Sequence, residues 1–427
     1  MDNEKYVYRE KPLTTSFIDT ESMSSEEAFL KYVGESGAWF ANFLITVKKE
    51  WIDKGFKVTD ILIREDTPIL IAVVKTYTPY LQAQKTEDKD TLKKETVSPS
   101  QDDILNIIAL FTDLPKDFKG SSLDFSFFIL GVGSFRGNFS SDSIGCGISL
   151  RYLSMKIPTF KSIGYPSFYG KEIERMIEKV STKTPYGIKK QGTIKQGGLI
   201  LHVGSTGSGK TTAIAAELGF FSESTRGTIL TYEEPIEYRF LDTPSPFRQF
   251  EIGIDIKKKN GNTITQAIQK HVLRNNPSVV SFGEGRTKED IRMMLETSLK
   301  GHLVMGTIHA SNVTDALTVL FSSVPGEEHI IANGLKAIVA HKLHVNKRGE
   351  IVPIFEIWIA SEQDKINLQK GDIKKVTDLI YGEQGHRSSM SISFSGHIEM
   401  LVSQSKLTPS EASTMMDAMK SAKKSNY

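Results

Sequence analysis

The chain opens its ordered pattern with an apolar stripe at helical spacing. Between residues 26 and 50, Phe29, Tyr32, Val33, Trp39, Phe40, Phe43, Leu44 and Val47 recur so that one helix face would be apolar. Val58–Val74 then shifts toward strands, broken by the polar turn Glu65-Asp66-Thr67-Pro68. The charged run QAQKTEDKDTLKKETVS, Gln82–Ser98, has almost no apolar content and reads as a solvated loop or partly disordered insertion. A helix is expected over 99–118. Ser121–Leu153 alternates Gly, Ser and apolar residues like short strands joined by tight turns. Together these elements predict a first domain of α+β type over residues 1–157.

Pro158–Tyr165, with Pro166 after it, reads as an interdomain linker. A helix near Tyr169–Val180 and the polar stretch Ser181–Gln196 complete a connecting segment over 158–196. From Gly197 to residue 427, apolar strands alternate with helices, the α/β pattern of a mainly parallel sheet. A length of 427 residues supports two cores rather than one.

Composition narrows the function classes. A net charge of +2 does not point to a dedicated nucleic-acid binder, for which a strongly basic domain is expected. The single cysteine, Cys146, excludes an intramolecular disulfide and a Cys-based zinc site, and between Gly145 and Gly147 it reads as a small packed side chain. The start MDNEKYVYREK lacks the basic head and apolar run of a signal peptide. The longest apolar runs, such as Ile69–Val74, are too short to cross a bilayer. The expectation is a cytoplasmic protein without a membrane segment, reaching a membrane only through a partner.

The most specific chemistry follows the strand-like run Gly197–Val203 (GGLILHV). GSTGSGKT, Gly204–Thr211, lies between that run and the helix-forming TAIAAELGFF. Strand, Gly-rich loop and helix in this order form a phosphate-binding loop. Its backbone N–H groups face phosphates at the positive end of the following helix. Gly204, Ser205, Thr206, Gly207, Ser208, Gly209, Lys210, Thr211 and Thr212 are therefore expected to hold a nucleotide. Lys210 would reach the β- and γ-phosphates, and the Thr211 hydroxyl would ligate Mg²⁺. A nucleotide and Mg²⁺ are the expected cofactors, and the loop alone does not separate kinases, GTPases, helicases and motors.

Three later segments carry further candidates. TILTYEEPIEY, Thr228–Tyr238, is a strand ending in Glu233 and Glu234. PSVVSFGEGR, Pro277–Arg286, is a strand ending in Gly283 and Glu284, where a carboxylate can reach the metal. KGHLVMGTIHAS, Lys300–Ser311, is a strand flanked by His302 and His309. Two histidines seven apart, without a third ligand nearby, do not make a metal site. Solvated or turn-forming roles remain the alternatives for these acids, and local hydrogen bonding for the histidines.

In that order, these pieces resemble the Walker A, acidic "Asp box", Gly-Glu Walker B and "His box" of the type II/IV secretion and type IV pilus ATPase superfamily, which includes PilT-like and DotB/TraJ-type members. The resemblance is dense from Gly197 to about Gly326. Val58–Ile69, Leu123–Phe139 and the tail Ser393–Ala412 are similar to further family segments. It implies a RecA-like P-loop core over 197–427 with a smaller N-terminal α+β, PAS-like domain. It also implies that Glu233 orients or deprotonates the attacking water, and that His302 and His309 sense the γ-phosphate or couple neighbouring sites. Arg136 and Arg151 match family arginines that face nucleotide, with a structural role as the alternative, and Arg274 matches another. Departures are Lys270 where the family usually has Arg, Glu234 where it more often has Asp, and Thr287 where it has Asp, which puts an Arg286 ion pair in doubt.

The function so implied is a homohexameric ATPase motor serving a type IV secretion or conjugation apparatus, at the inner face of the bacterial inner membrane. A type IV pilus retraction motor is the alternative. Rivals of other classes are a nucleotide-binding scaffold or switch with little turnover, a small-molecule P-loop kinase and a DNA-translocating helicase.

Overall fold

A computed structural model of the chain describes residues 39–424 apart from 57, 74–75, 80, 86–91, 111–121, 130–131, 154–155, 185–186, 242, 254, 257–262 and 382–390. The chain divides after Lys156 into two compact units, with Glu237–Arg239 grouped with the first.

In the first unit, helix α1 (39–47) runs into a π-helical turn, Lys48–Ile52. The part of the expected helix before residue 39 lies outside the described residues. Strands β1 (Val58–Arg64), β2 (Leu70–Val73) and β3 (Thr76–Pro79) precede a separate hairpin of β4 (Leu81–Lys85) and β5 (Leu92–Thr96). Helix α2 (Gln101–Ala109) and strands β6 (Ser122–Ile129), β7 (Gly133–Ser141) and β8 (Cys146–Leu153) follow. The main sheet is antiparallel in the order β3-β2-β1-β8-β7-β6. Phe40, Phe43, Leu44 and Val47 of α1 share its core with Ile104, Ile107 and Ile108 of α2. The charged run read as a loop thus contains a strand pair. Backbone groups can satisfy one another in a ladder whatever the polarity of the side chains, so low apolar content alone did not exclude strands.

The second unit begins with helices α3 (Phe160–Ile163) and α4 (Ser167–Arg175) and a hairpin of β9 (Ile177–Thr184) and β10 (Gly187–Ile194). The helix expected near Tyr169 is present as α4, while the expected linker carries α3 and the expected polar stretch carries most of the hairpin. Thr159 caps α3 reciprocally with Ser162, and β-branched residues at Val180, Thr182 and Thr184 suit a strand.

The core of this unit contains β11 (Gly198–Val203), α5 (Lys210–Ser224), β12 (Ile229–Glu233), β13 (Phe247–Glu251), α6 (Ile264–Asn275), β14 (Val279–Phe282), α7 (Lys288–Leu299) and β15 (Leu303–Ile308). It continues with α8 (Val313–Ser323), α9 (Glu328–Gly334), β16 (Leu335–Val345), β17 (Ile351–Ile359), α10 (Glu362–Gln369), α11 (Ile373–Tyr381), β18 (Ser391–Ile392), α12 (Phe394–Ser403) and α13 (Pro409–Lys424). The sheet order is β13-β12-β14-β15-β11-β16-β17-β18. It is parallel from β13 to β16 and antiparallel at β17 and β18.

Every residue of β11, β14 and β15 is buried, as expected of parallel strands covered on both faces. On α7, Ile291, Met294, Leu295 and Ser298 recur at helical spacing and are buried, so this face packs on the sheet. Gly306 on β15 leaves the space that the Met294 thioether fills. Among the described residues, no helix is long and apolar enough to cross a membrane.

Candidate active site

The register of four adjacent strands brings the predicted residues to one edge. Tyr232 pairs with Phe282, Phe282 with Gly306, and Gly306 with Leu201, so β12, β14, β15 and β11 end side by side. Neighbouring strands lie about 4.8 Å apart, and ligands of open α/β sheets bind beyond such carboxyl ends. Glu233, Glu284, His309 and the Gly204–Thr211 loop all lie at or just past these ends.

The loop curls through left-handed residues, with φ of 75° at Gly207 and 94° at Gly209, the residue before α5. A Cβ at Gly207 would meet nothing within 4 Å, so that side of the loop is open. Lys210 Nζ donates to the carbonyls of Gly204 at 2.8 Å and Ser205 at 3.0 Å, holding the curl from within. Ser208 is 5% exposed, and its Oγ has no hydrogen-bond partner among the described residues. A curled loop at a helix N-terminus, an ammonium group and an unsatisfied buried hydroxyl fit the phosphates of a nucleotide.

Glu284 stands at the centre of the acidic edge. Its Oε1 lies 2.6 Å from His309 Nε2, and its Oε2 accepts from Arg286 Nε at 2.6 Å. Arg286 also donates from a terminal nitrogen to Glu234 Oε2 at 3.2 Å. Burial works to raise the Glu284 carboxyl, but the Arg286 hydrogen bond and the charges of Arg286, His309 and Lys210 outweigh it and hold it below the ordinary carboxylate range. The guanidinium of Arg286 is correspondingly raised, chiefly by its hydrogen bond to Glu284. Glu233 Oε1 accepts from Thr231 Oγ1 at 2.6 Å and Gln249 Nε2 at 3.1 Å, which orients the carboxylate at the end of β12.

Gly283, where other Walker B motifs more usually carry an aspartate, has little room for a side chain. A Cβ there would stand 3.2 Å from the Tyr232 carbonyl, and the Gly283 N–H bonds that same oxygen at 2.8 Å. The Gly283 carbonyl in turn accepts from Thr307 Oγ1 at 2.5 Å. A side chain would press into the neighbouring strand end.

Two assignments come out differently, those of His302 and Thr287. His302 is not at this edge: it precedes β15 while His309 follows it, and a six-residue strand separates the two by roughly 20 Å. His302 is buried, with Nδ1 2.6 Å from the Pro277 carbonyl, and its own carbonyl accepts from Gly198 at the start of β11. It therefore belongs to the opposite end of the sheet from the loop. Thr287 is not a lost ion-pair partner but the N-cap of α7, in a reciprocal box with Asp290, while Arg286 finds its carboxylates at Glu284 and Glu234. Arg136 and Arg151 belong to the first unit, opposite one another on β7 and β8. Both are exposed, and Arg151 Nε donates to Asp60 Oδ1 at 3.0 Å. Arg274 ends α6, and Lys270 lies one turn before it.

Sequence reading also missed a buried polar group behind the loop, formed by His202, Glu217 and His341. No local signal finds it, because His202 and His341 are 139 positions apart.

The family model for type II/IV secretion system proteins matches residues 168–372. The chain is 30% identical over 246 residues to the uncharacterised protein YggR of Escherichia coli, covering 56% of this chain and 68% of YggR. It is 26% identical over 312 residues to the type IV pilus ATPase PilU of Pseudomonas aeruginosa, 71% of this chain and 74% of PilU. The solved structure of the Legionella pneumophila ATPase DotB superposes with a TM-score of 0.67 at 20% identity, over 89% of this chain and 96% of DotB. The shared fold is a RecA-like core with an N-terminal domain.

Proposed function

The chain belongs to the type II/IV secretion system protein family, and from that premise we propose that it is an ATPase motor acting as a ring of identical subunits. The observation that carries the reading is the alignment of loop, Glu284, His309 and Glu233 along adjacent strand ends. Lys210 would exchange its loop carbonyls for phosphate oxygens. Glu233 would orient the attacking water, and His309 would bear on the γ-phosphate through Glu284. Arg136 and Arg151 would offer positive charge to nucleotide at a seam between domains or subunits.

Among the described residues, no group of three His, Cys, Asp or Glu side chains is arranged to hold a metal ion. A Mg²⁺ ion would thus depend on Thr211, Glu284 and phosphate oxygens, the usual division for this ion. When bound it would neutralise phosphate charge.

The ring would be a hexamer driving a type IV secretion or conjugation apparatus from the cytoplasmic face of the inner membrane. Similarity to the type IV pilus ATPase PilU and to the type IV pilus retraction ATPase PilT of Pseudomonas aeruginosa favours a second reading, a type IV pilus retraction motor. The test is ATP hydrolysis by the purified protein over a range of concentrations, beside Lys210→Ala and Glu284→Ala. Specific activity that rises with concentration and disappears in both variants supports the motor. ATP binding without turnover at every concentration favours a scaffold or switch. Deleting the gene and scoring DNA or protein transfer against pilus retraction separates the two apparatus readings.

A further inference from the structure

Glu217 lies on α5, two turns beyond Lys210, and is 0% exposed. An ionisable residue so placed is rare unless its hydrogen bonds are complete. Its Oε1 accepts from Tyr165 Oη at 2.9 Å and Tyr169 Oη at 2.8 Å. Its Oε2 lies 3.2 Å from Nε2 of His202 on β11. The Nδ1 of His202 lies 2.9 Å from Nε2 of His341 on β16.

Protonation gives the chain a direction. Burial, and then the nearby Glu217 charge, push both tyrosine hydroxyls well above their ordinary range, so they remain donors. Burial, followed by the charges of His202 and Lys210, pushes His341 well below its ordinary value, so its ring is neutral. A consistent assignment has His341 Nε2–H donating to His202 Nδ1 and His202 Nε2–H donating to Glu217. At the far end, the His341 carbonyl lies 2.8 Å from where a Cβ on Gly204 would stand, so the first loop residue rests on this strand.

Three pieces of the second unit meet at one carboxylate, the α3–α4 segment, the loop's helix and the strand entering the loop, and His202 extends the group to the strand beside it. Apolar side chains would fill this space without the desolvation cost of a buried acid. We propose that Glu217 is a positioning residue for the phosphate loop, tying it to α3–α4 so that nucleotide binding is transmitted to that segment. The proposal rests on the nucleotide-binding reading of the loop and adds to it a route toward the first residues of the unit, next in the chain to Lys156.

The test is amide hydrogen exchange of the full chain with and without Mg-ADP, together with kcat and KM for ATP. In the unmodified protein, ADP is expected to slow exchange over both 204–212 and 160–176. Tyr165→Phe/Tyr169→Phe keeps both rings and removes both donors. It should preserve the slowing at 204–212 and leave KM within about twofold, while reducing that at 160–176 by about fivefold, the scale of one lost hydrogen bond. Tyr165→Phe alone, which leaves one donor in place, should give a smaller reduction in the same direction. Glu217→Gln can still accept both hydroxyls if His202 and His341 both change tautomer, and should retain the transmitted protection.

Equal protection of 160–176 in the double variant and the unmodified protein, with 204–212 protected in both, would overturn the proposal. So would a Glu217→Gln variant that loses as much as the double variant. If ADP protects no loop amides in the unmodified protein, the nucleotide-binding reading itself fails, a result distinct from either of these.

Discussion

His309 Nε2 meets Glu284 Oε1 at 2.6 Å, joining the ends of β15 and β14 beside the phosphate loop. The contact occupies one carboxylate oxygen while Arg286 occupies the other. Glu284→Gln preserves the shape and removes the charge. It should lower kcat by at least about 100-fold, near 2.7 kcal/mol of transition-state stabilisation, while ADP still binds. Single-turnover hydrolysis and nucleotide titration check this. Because Glu284 is held below the ordinary carboxylate range, it stays ionised at neutral pH, and an acid limb near neutrality would point to another group.

Gly283→Asp would install the more usual Walker B acid, yet it should harm this protein. The new Cβ would lie 3.2 Å from the Tyr232 carbonyl and 3.4 Å from Glu233 Cα, so the strand end must shift. A loss of about 1–3 kcal/mol in stability is expected, read from the denaturant midpoint.

Gly207→Ala tests backbone strain without crowding. With φ at 75° and nothing within 4 Å of a Cβ, the substitution should cost about 1 kcal/mol from conformation alone. Thermal unfolding of the nucleotide-free protein should show a lower midpoint.

Part of the protein's acid sensitivity should come from His397, beside the share of the buried, neutral His341. Its Nδ1 accepts from the Phe355 N–H at 2.9 Å, and burial, with the charge of Lys406, lowers it from 6.5 to about 4. Below 6.5 the unfolded chain takes up a proton that the folded chain refuses, so this contribution is full above 6.5 and is lost as pH falls toward 4. The loss approaches roughly 3 kcal/mol at most. His397→Asn, whose Oδ1 can take the place of Nδ1, should make stability fall less steeply across that window in denaturant titrations at several pH values, the remaining slope including the share of His341.

Legibility in the sequence followed distance along the chain. The strand–loop–helix from Gly198 to Ser224 is contiguous, and its glycines and apolar runs mark it directly. Glu233 and Glu284 were readable as strand ends because each closes an apolar run. Which end of a strand faces the loop is not local information, and so His302 and His309 looked equivalent. The Thr287–Asp290 cap had a local signature, a Thr three residues before an acid at a helix start, but it was read as a broken ion pair. Arg286 needed tertiary placement, since Glu234 is 52 positions away. The Glu217 group needed it still more, because its partners come from α3–α4, β11 and β16. Strands β9 and β10 were hidden by polarity, since their β-branched residues were outweighed by lysines, Glu178 and Gln191.

Lys210 rests on two carbonyls of its own loop, and this sets a threshold for what the loop admits. The ammonium group is already held by protein oxygens, so a ligand that takes it must replace at least these two carbonyls. A nucleoside offers no anionic oxygen for that exchange, and a monoanion offers little, whereas a polyphosphate presents several at once. On the nucleotide-binding reading proposed above, a preference for polyphosphates over nucleosides would thus begin at Lys210, before any contact with the base or sugar.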